Sequence, residues 1–118
     1  MLLYVGSSSR DLSKLPKEVR EVFAFGLEMA LNGGKHECAK PLQGFGGASV
    51  LELVEDHRSG TYRAVYTVRF KNAVYVLHVF QKKSKKGIST PKHEIDCIRD
   101  RLKIAEFDYK ERYPKEHG

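Results

Sequence analysis

The sequence predicts an α+β domain, a small and mostly antiparallel sheet of about four strands packed against two helices. Three observations predict it. Residues 62–70 alternate with a period of two, Tyr62, Ala64, Tyr66, Val68 and Phe70 against Arg63, Val65, Thr67, Arg69 and, beyond them, Lys71. Residues 73–80, AVYVLHVF, are apolar without interruption, as in a strand covered on both faces. Two segments, beginning at Pro16 and at Thr90-Pro91, repeat apolar residues at three- and four-residue steps, the pattern of amphipathic helices. At 118 residues, 41% apolar and 31% charged, the chain is expected to fold as one domain over 1–118 with a single core and without disorder.

The elements follow in order. Leu2 to Val5 is a short apolar run ended by Gly6 and three serines, and reads as a first strand. After a turn, Pro16 and Glu18 suit the start of a helix whose stripe is Val19, Val22, Phe23, Gly26, Leu27, Ala30 and Leu31. Gly26 in that stripe marks a close approach to the sheet, and Asn32, Gly33 and Gly34 end the helix. Lys35 to Gly47 breaks both periodicities with Pro41, Gly44, Gly46 and Gly47, and is expected to be an irregular connection. Its Gly-Phe-Gly-Gly piece lacks the GK[ST] ending of a phosphate loop, and His36 with Cys38 lacks the PCxxC partner of a zinc deaminase, so neither a nucleotide loop nor a zinc site is expected. Ser49 to Glu55 reads as a strand with Leu51 and Leu53 on one face and Val50, Glu52 and Val54 on the other. A polar turn at 56–60 leads into the alternating strand, and Lys71-Asn72 joins it to the apolar strand as an antiparallel hairpin. The last helix carries Ile95, Ile98, Leu102, Ala105 and Tyr109 inward, with Arg99, Asp100, Arg101 and Lys103 mostly outside, and the tail frays after Pro114.

Charge narrows the partners. Twenty-one Lys and Arg against fifteen Asp and Glu give a net charge of +6, which points to nucleic acid, anionic lipid or an acidic protein as partner. No apolar run approaches the roughly 20 residues of a membrane span, and the N-terminal segment has neither the basic leader nor the long apolar core of a signal peptide. Cys38 and Cys97 stand apart from any CxxC pattern and read as two independent thiols of a reducing compartment, so a cytoplasmic location is expected.

The order of elements, the hairpin with GTYRAVY, and the passage VLHVFQKKSKKGISTPKHEI followed by IRDRL resemble the phage-derived HigB-like branch of the RelE/ParE toxin superfamily. The resemblance covers nearly the whole chain. It implies a RelE-like fold and the toxin half of a type II toxin–antitoxin pair, an mRNA interferase that in many relatives cuts messenger RNA on the ribosome. It further implies metal-independent cleavage by attack of a 2′-hydroxyl on the adjacent phosphate, no cofactor, and a cognate helix-turn-helix antitoxin. The chain departs from the family at Val54, where relatives carry arginine after Glu-Leu, and it has no clear histidine near its C-terminus, where some superfamily members carry their acid.

The residues give an independent reading of the site. Arg63 presents a fixed fork of donors suited to a phosphorane dianion, or else covers the sheet edge and pairs with Glu52 or Glu55. Lys82, Lys83, Lys85 and Lys86 crowd four lysines into five residues. Mutual repulsion lowers the pKa of such groups and suits them to proton transfer, whereas a solvated loop is the bland alternative. The candidate catalytic set is therefore Arg63, Lys83 and Lys85, with Glu52 as base and His93 as acid; Lys82, Lys86, Arg58 and Arg69 are candidate RNA contacts. Glu52 has a salt bridge as its competing reading. Tyr62 and Tyr66 read as core, His78 as a satisfied core histidine, and Tyr109 as core rather than a base-stacking platform. Two other functions fit the same scaffold, a ParE-like gyrase-inhibiting toxin and a catalytically degenerate module that binds RNA or antitoxin.

Overall fold

Residues 1–82 and 90–116 are described by a computed structural model. Its elements are β1 (Leu2–Tyr4), α1 (Ser8–Ser13), α2 (Lys17–Leu31), β2 (Ala39–Pro41), β3 (Val50–His57), β4 (Gly60–Phe70), β5 (Ala73–Lys82) and α3 (Lys92–Arg112), followed by a 3-10 turn at Pro114–Glu116. Among the described residues the strands form one five-stranded sheet in the order β1-β5-β4-β3-β2. β1 runs parallel to β5 and every other neighbouring pair is antiparallel. The α+β class and the mostly antiparallel sheet agree with the sequence reading.

Two elements exceed it. β2 lies inside the segment expected to be irregular, pairing Ala39 with Leu53 and Pro41 with Leu51. It sits at the sheet edge, where proline is tolerated because its missing N–H is not needed for a ladder. α1 falls in the expected turn. At six residues it is too short to show a helical period, and it is anchored through the buried Ser8 hydroxyl, which donates to the Val76 carbonyl at 3.1 Å. Pro16 and Pro91 cap α2 and α3, so each helix begins one residue after its proline.

The sheet separates two apolar layers. Phe23 and Leu27 of α2 pack with Leu51, Leu53, Tyr62 and Tyr66 on one face. Ile98, Leu102, Ala105 and Tyr109 of α3 pack with Val65, Tyr75 and Leu77 on the other. Each large side chain so buried is worth about 1.5–3 kcal/mol. Tyr62, Tyr66 and Tyr109 are thus core, as expected. The alternation in β4 does not divide core from solvent, because residues 62–67 are all buried. It divides the α2 layer from the α3 layer, and Arg63 belongs to the second. Arg101 departs from the outward placement expected of it: its Nη1 donates to the Leu77 carbonyl at 3.0 Å and its Nη2 to the Ser7 hydroxyl at 3.2 Å.

A bulge in β5 decides what reaches the site. Val65 pairs with His78 and Tyr66 with Val76, so Leu77 is an extra residue. Val76 faces α2, whereas Leu77 packs in the α3 layer and His78 contacts α3 side chains. Strict alternation would have sent His78, Phe80 and Lys82 to the α2 side. The bulge re-aims all three, a common use of bulges beside functional sites.

Candidate functional site

Four strands bring charge to one end of the α3 face. Register places Lys40 opposite Glu52, Val54 opposite Arg63 and Thr61 opposite Lys82, and side chains two apart along a strand share a face. Lys40, Glu52, Arg63 and Lys82 therefore converge. Arg63 Nη1 donates to both Glu52 carboxylate oxygens at 2.9 Å, and the two side chains are only 6% and 5% exposed. Lys40 Nζ adds a contact to Glu52 Oε1 at 3.8 Å from the solvent side. Arg63 Nη1 also approaches the Thr90 hydroxyl at 3.5 Å, at the entry to α3.

One carboxylate does not satisfy this many cations. Among the described residues, Arg63 Nε and Lys82 Nζ are buried side-chain donors without a hydrogen-bond acceptor. Lys82 is 5% exposed. Burial, reinforced by the like charge of Arg63, holds its ammonium below the ordinary lysine range, with Glu52 acting in the opposite sense. An unpaired buried cation is costly, and the cost falls when an anion binds or a proton leaves. Both responses are useful to chemistry at a phosphate.

Beside the cluster lies a cleft of about 580 Å³, lined by Lys40, Glu52, Arg63 and Thr90 at one end and by the segment after β2 together with Ile95 and Arg99 at the other. Arg99 fixes that segment. Its Nη2 donates to the Gly44 carbonyl at 3.1 Å, and its guanidinium lies over the Phe45 ring, 4.8 Å from the centroid.

The remaining expected residues are dispersed. Arg69 sits six residues along β4 from Arg63, about 20 Å away by strand rise, and pairs with Glu106 at 3.0 Å. Arg58 is exposed in the turn between β3 and β4, near Glu18 on the α2 side. The His93 side chain is 79% exposed, and its Nε2 is 3.7 Å from Glu94 Oε2, outside the cleft lining. Lys83, Lys85 and Lys86 lie outside the described residues. Conversely, Lys40, Thr90 and Arg99 were not expected in the site. Lys40 is hidden in a glycine- and proline-rich stretch without strand alternation, Thr90 reads only as a helix start, and Arg99 reads as an outward helix residue.

His78 belongs to a separate cluster under α3. Arg101 Nη1 lies 3.3 Å from its Nδ1, and a guanidinium only donates, so Nδ1 accepts and Nε2 carries the proton directed to Glu94 Oε1 at 2.7 Å. This is the satisfied core histidine expected from the sequence. Cys38 and Cys97 are free thiols, and burial pushes both above the usual range, which keeps them protonated and poor nucleophiles. Among the described residues no His, Cys, Asp and Glu side chains group as a metal site, and no helix is long and apolar enough to cross a membrane.

Compared with models of protein families, residues 10–103 match the family described as phage derived protein Gp49-like (DUF891). The chain belongs to this Gp49-like family. It is a RelE/ParE-like, toxin-like family of toxin–antitoxin systems, which implies an antitoxin partner. None of the curated proteins compared matches the chain. The Gp49-like match spans every residue that lines the cleft and leaves out β1 and the last part of α3.

Proposed function

We propose that this Gp49-like chain is the toxin of a type II toxin–antitoxin pair and acts as an endoribonuclease on messenger RNA, with Arg63 and Lys82 at the centre of the site. One observation carries the reading: among the described residues two buried cationic donors, Arg63 Nε and Lys82 Nζ, lie on one sheet face without an acceptor, and Arg63 lines an open cleft. A scissile phosphate supplies the acceptor oxygens both groups lack.

In the proposed reaction Lys82, whose ammonium is held below the ordinary lysine range by burial, gives up its proton and its amine takes the proton of a ribose 2′-hydroxyl. The 2′-oxygen attacks the adjacent phosphorus, the bond to the 5′-oxygen breaks, and that oxygen takes up a proton from water in the open cleft. The products are a 2′,3′-cyclic phosphate and a 5′-hydroxyl. Arg63 stabilises the charge that develops on the phosphorane. Glu52 then serves to hold the guanidinium in place, and its engagement with Arg63 makes it less free to act as the base. Lys83, Lys85 and Lys86, next in the sequence, add positive charge for an RNA partner, and the ribosome and a helix-turn-helix antitoxin are the setting and partner that the family resemblance implies.

The Glu52–Arg63 pair favours one other reading, a binding module in which Arg63 is structural and no bond is broken. Primer extension on cellular messages after induction separates them. The nuclease gives discrete cuts within translated codons that disappear with Arg63→Ala. Intact messages contradict it, and intact messages accompanied by DNA damage point to gyrase inhibition instead.

A further inference from the structure

A serine in a tight turn ordinarily bonds to backbone nearby. Ser59, in the turn from β3 to β4, bonds instead to a line of side chains that reaches α2. The His57 ring is the centre of the line: its Nδ1 lies 2.8 Å from Ser59 Oγ and its Nε2 3.2 Å from Glu18 Oε1. The Ser59 backbone N–H also donates to Nδ1, at 3.2 Å. Nδ1 therefore accepts, Nε2 carries the proton given to Glu18, and the Ser59 hydroxyl donates to Nδ1. Tyr62 completes the line, its hydroxyl donating to Ser59 Oγ at 2.8 Å. The Gln81 amide donates to the Ser59 carbonyl at 2.8 Å, which holds the turn in place. Ser59 is exposed, whereas the His57 side chain is only 17% exposed and its ring stands edge-on to Tyr62, with centroids 6.3 Å apart. An accessible hydroxyl with a shielded and oriented imidazole behind it is the arrangement of an activated nucleophile.

The structure assigns Ser59 as an acylation site, the acceptor of an activated acyl group such as that of an acyl phosphate or an active ester. Ser59 Oγ attacks the acyl carbon as His57 Nδ1 takes the hydroxyl proton. An ester bond forms at Oγ, the bond from the acyl carbon to the leaving oxygen breaks, and His57 returns the proton to that oxygen. Glu18 is a positioning residue. It is exposed, so its pairing adds little stability, and its part is to hold the imidazole in the tautomer that leaves Nδ1 unprotonated. Arg58, exposed beside Ser59, offers positive charge to an anionic donor. Tyr62 belongs to the α2 layer and Arg63 to the α3 layer, so this site and the cleft lie on opposite faces of the sheet. The acylation therefore does not rest on the nuclease reading.

The test is incubation of the full chain with acetyl phosphate and, separately, with p-nitrophenyl acetate, followed by mass spectrometry of the chain and its peptides. Each donor places one hydroxylamine-labile acetyl group on Ser59. Ser59→Ala removes it, and His57→Gln slows it about a hundredfold, the lower end of what a general base supplies. Glu18→Gln slows it less, and Glu18→Asp restores part of the rate. Arg58→Ala slows the reaction with acetyl phosphate and leaves that with the neutral ester unchanged. Acetyl groups confined to lysines and the N-terminal amine, where they are amides that resist hydroxylamine, overturn the site. So does labelling of Ser59 that proceeds at the same rate in His57→Gln, or transfer of a phosphoryl group alone from acetyl phosphate with no acetyl on Ser59 from either donor.

Discussion

Lys82 is placed where a structural lysine would not be. A buried ammonium with no acceptor among the described residues opposes folding, and its lowered pKa expresses the same free energy in the titration. With the folded value below the unfolded one, the unfolded chain holds more protons between the two, so this residue's contribution to stability rises as pH rises through that window. Lys82→Met keeps the stem and removes the charge. It is expected to raise Tm by a few degrees at neutral pH, to remove that pH-dependent rise, and to abolish RNA cleavage; a lower Tm in thermal melts would show that the ammonium is supported by groups the cleft does not reveal. Pairing of Arg63 with Glu52 or Glu55 was readable from the sequence as the alternative to a phosphate role, and the register of β3 and β4 brings Glu52 to it. Lys82 was legible only as one member of a cationic run. Nothing local distinguishes it from Lys83, since its burial depends on the strand register of β4 and β5.

The elements show where sequence patterns carry information and where they lose it. The period of β4, the continuous burial of β5 and the stripes of α2 and α3 all reflect burial against a helix, and each was readable. The bulge at Leu77 was not, because a run in which every residue is apolar looks the same with or without an extra one. β2 was missed for a related reason: three residues at an edge, ending in proline, have too little alternation to register. Gly26 is the element-scale position where sequence and structure agree most closely. A Cβ there would lie 2.7 Å from Leu53 Cδ2, and Leu53 is itself fully buried and hemmed in by the α2 layer. Gly26→Ala gains up to about 1 kcal/mol of helix propensity but overpacks the contact by about 1–3 kcal/mol. Chemical denaturation should show a net loss of about 1 kcal/mol, and a gain would mean that the α2 layer yields to the added methyl group.

Across the whole molecule, two apolar layers on opposite faces of one sheet hold the charged end of the α3 face in place. The far end of the same face is closed by a polar tie. The buried Tyr75 hydroxyl donates to Asp108 Oδ2 at 2.6 Å, and Arg112 Nε donates to the same oxygen at 2.7 Å. Burial, then the bond to Asp108, pushes the Tyr75 phenol above its usual range, while the bonds from Tyr75 and Arg112 hold Asp108 below the usual carboxylate range. For Tyr75 the folded value is raised, so its contribution is complete below the ordinary phenol pKa of about 10 and is lost as pH rises beyond it. For Asp108 the folded value is depressed, so its contribution is complete above about 3.9 and is lost as pH falls below that. Tyr75→Phe is expected to make the alkaline loss of Tm shallower and to shift the acid limb as well; unchanged limbs on both sides would show that the tie does not form in solution. Family-level character was legible at this scale, since the order of elements and the GTYRAVY and lysine-rich passages point to the superfamily to which the Gp49-like match assigns the chain. The site's centre was harder to read, because it is assembled from β2, β3, β4, β5 and the start of α3.

The central claim is that Arg63 and Lys82 act on a phosphate in a reaction that uses the RNA's own 2′-hydroxyl. The most direct measurement is the end chemistry of RNA cut by the purified chain, with ribosomes supplied, in chelator and in its absence. The account predicts 2′,3′-cyclic phosphate and 5′-hydroxyl ends under both conditions, lost in Arg63→Ala and in Lys82→Met. Ends bearing a 3′-hydroxyl and a 5′-phosphate, or the same cuts from both variants, would contradict it.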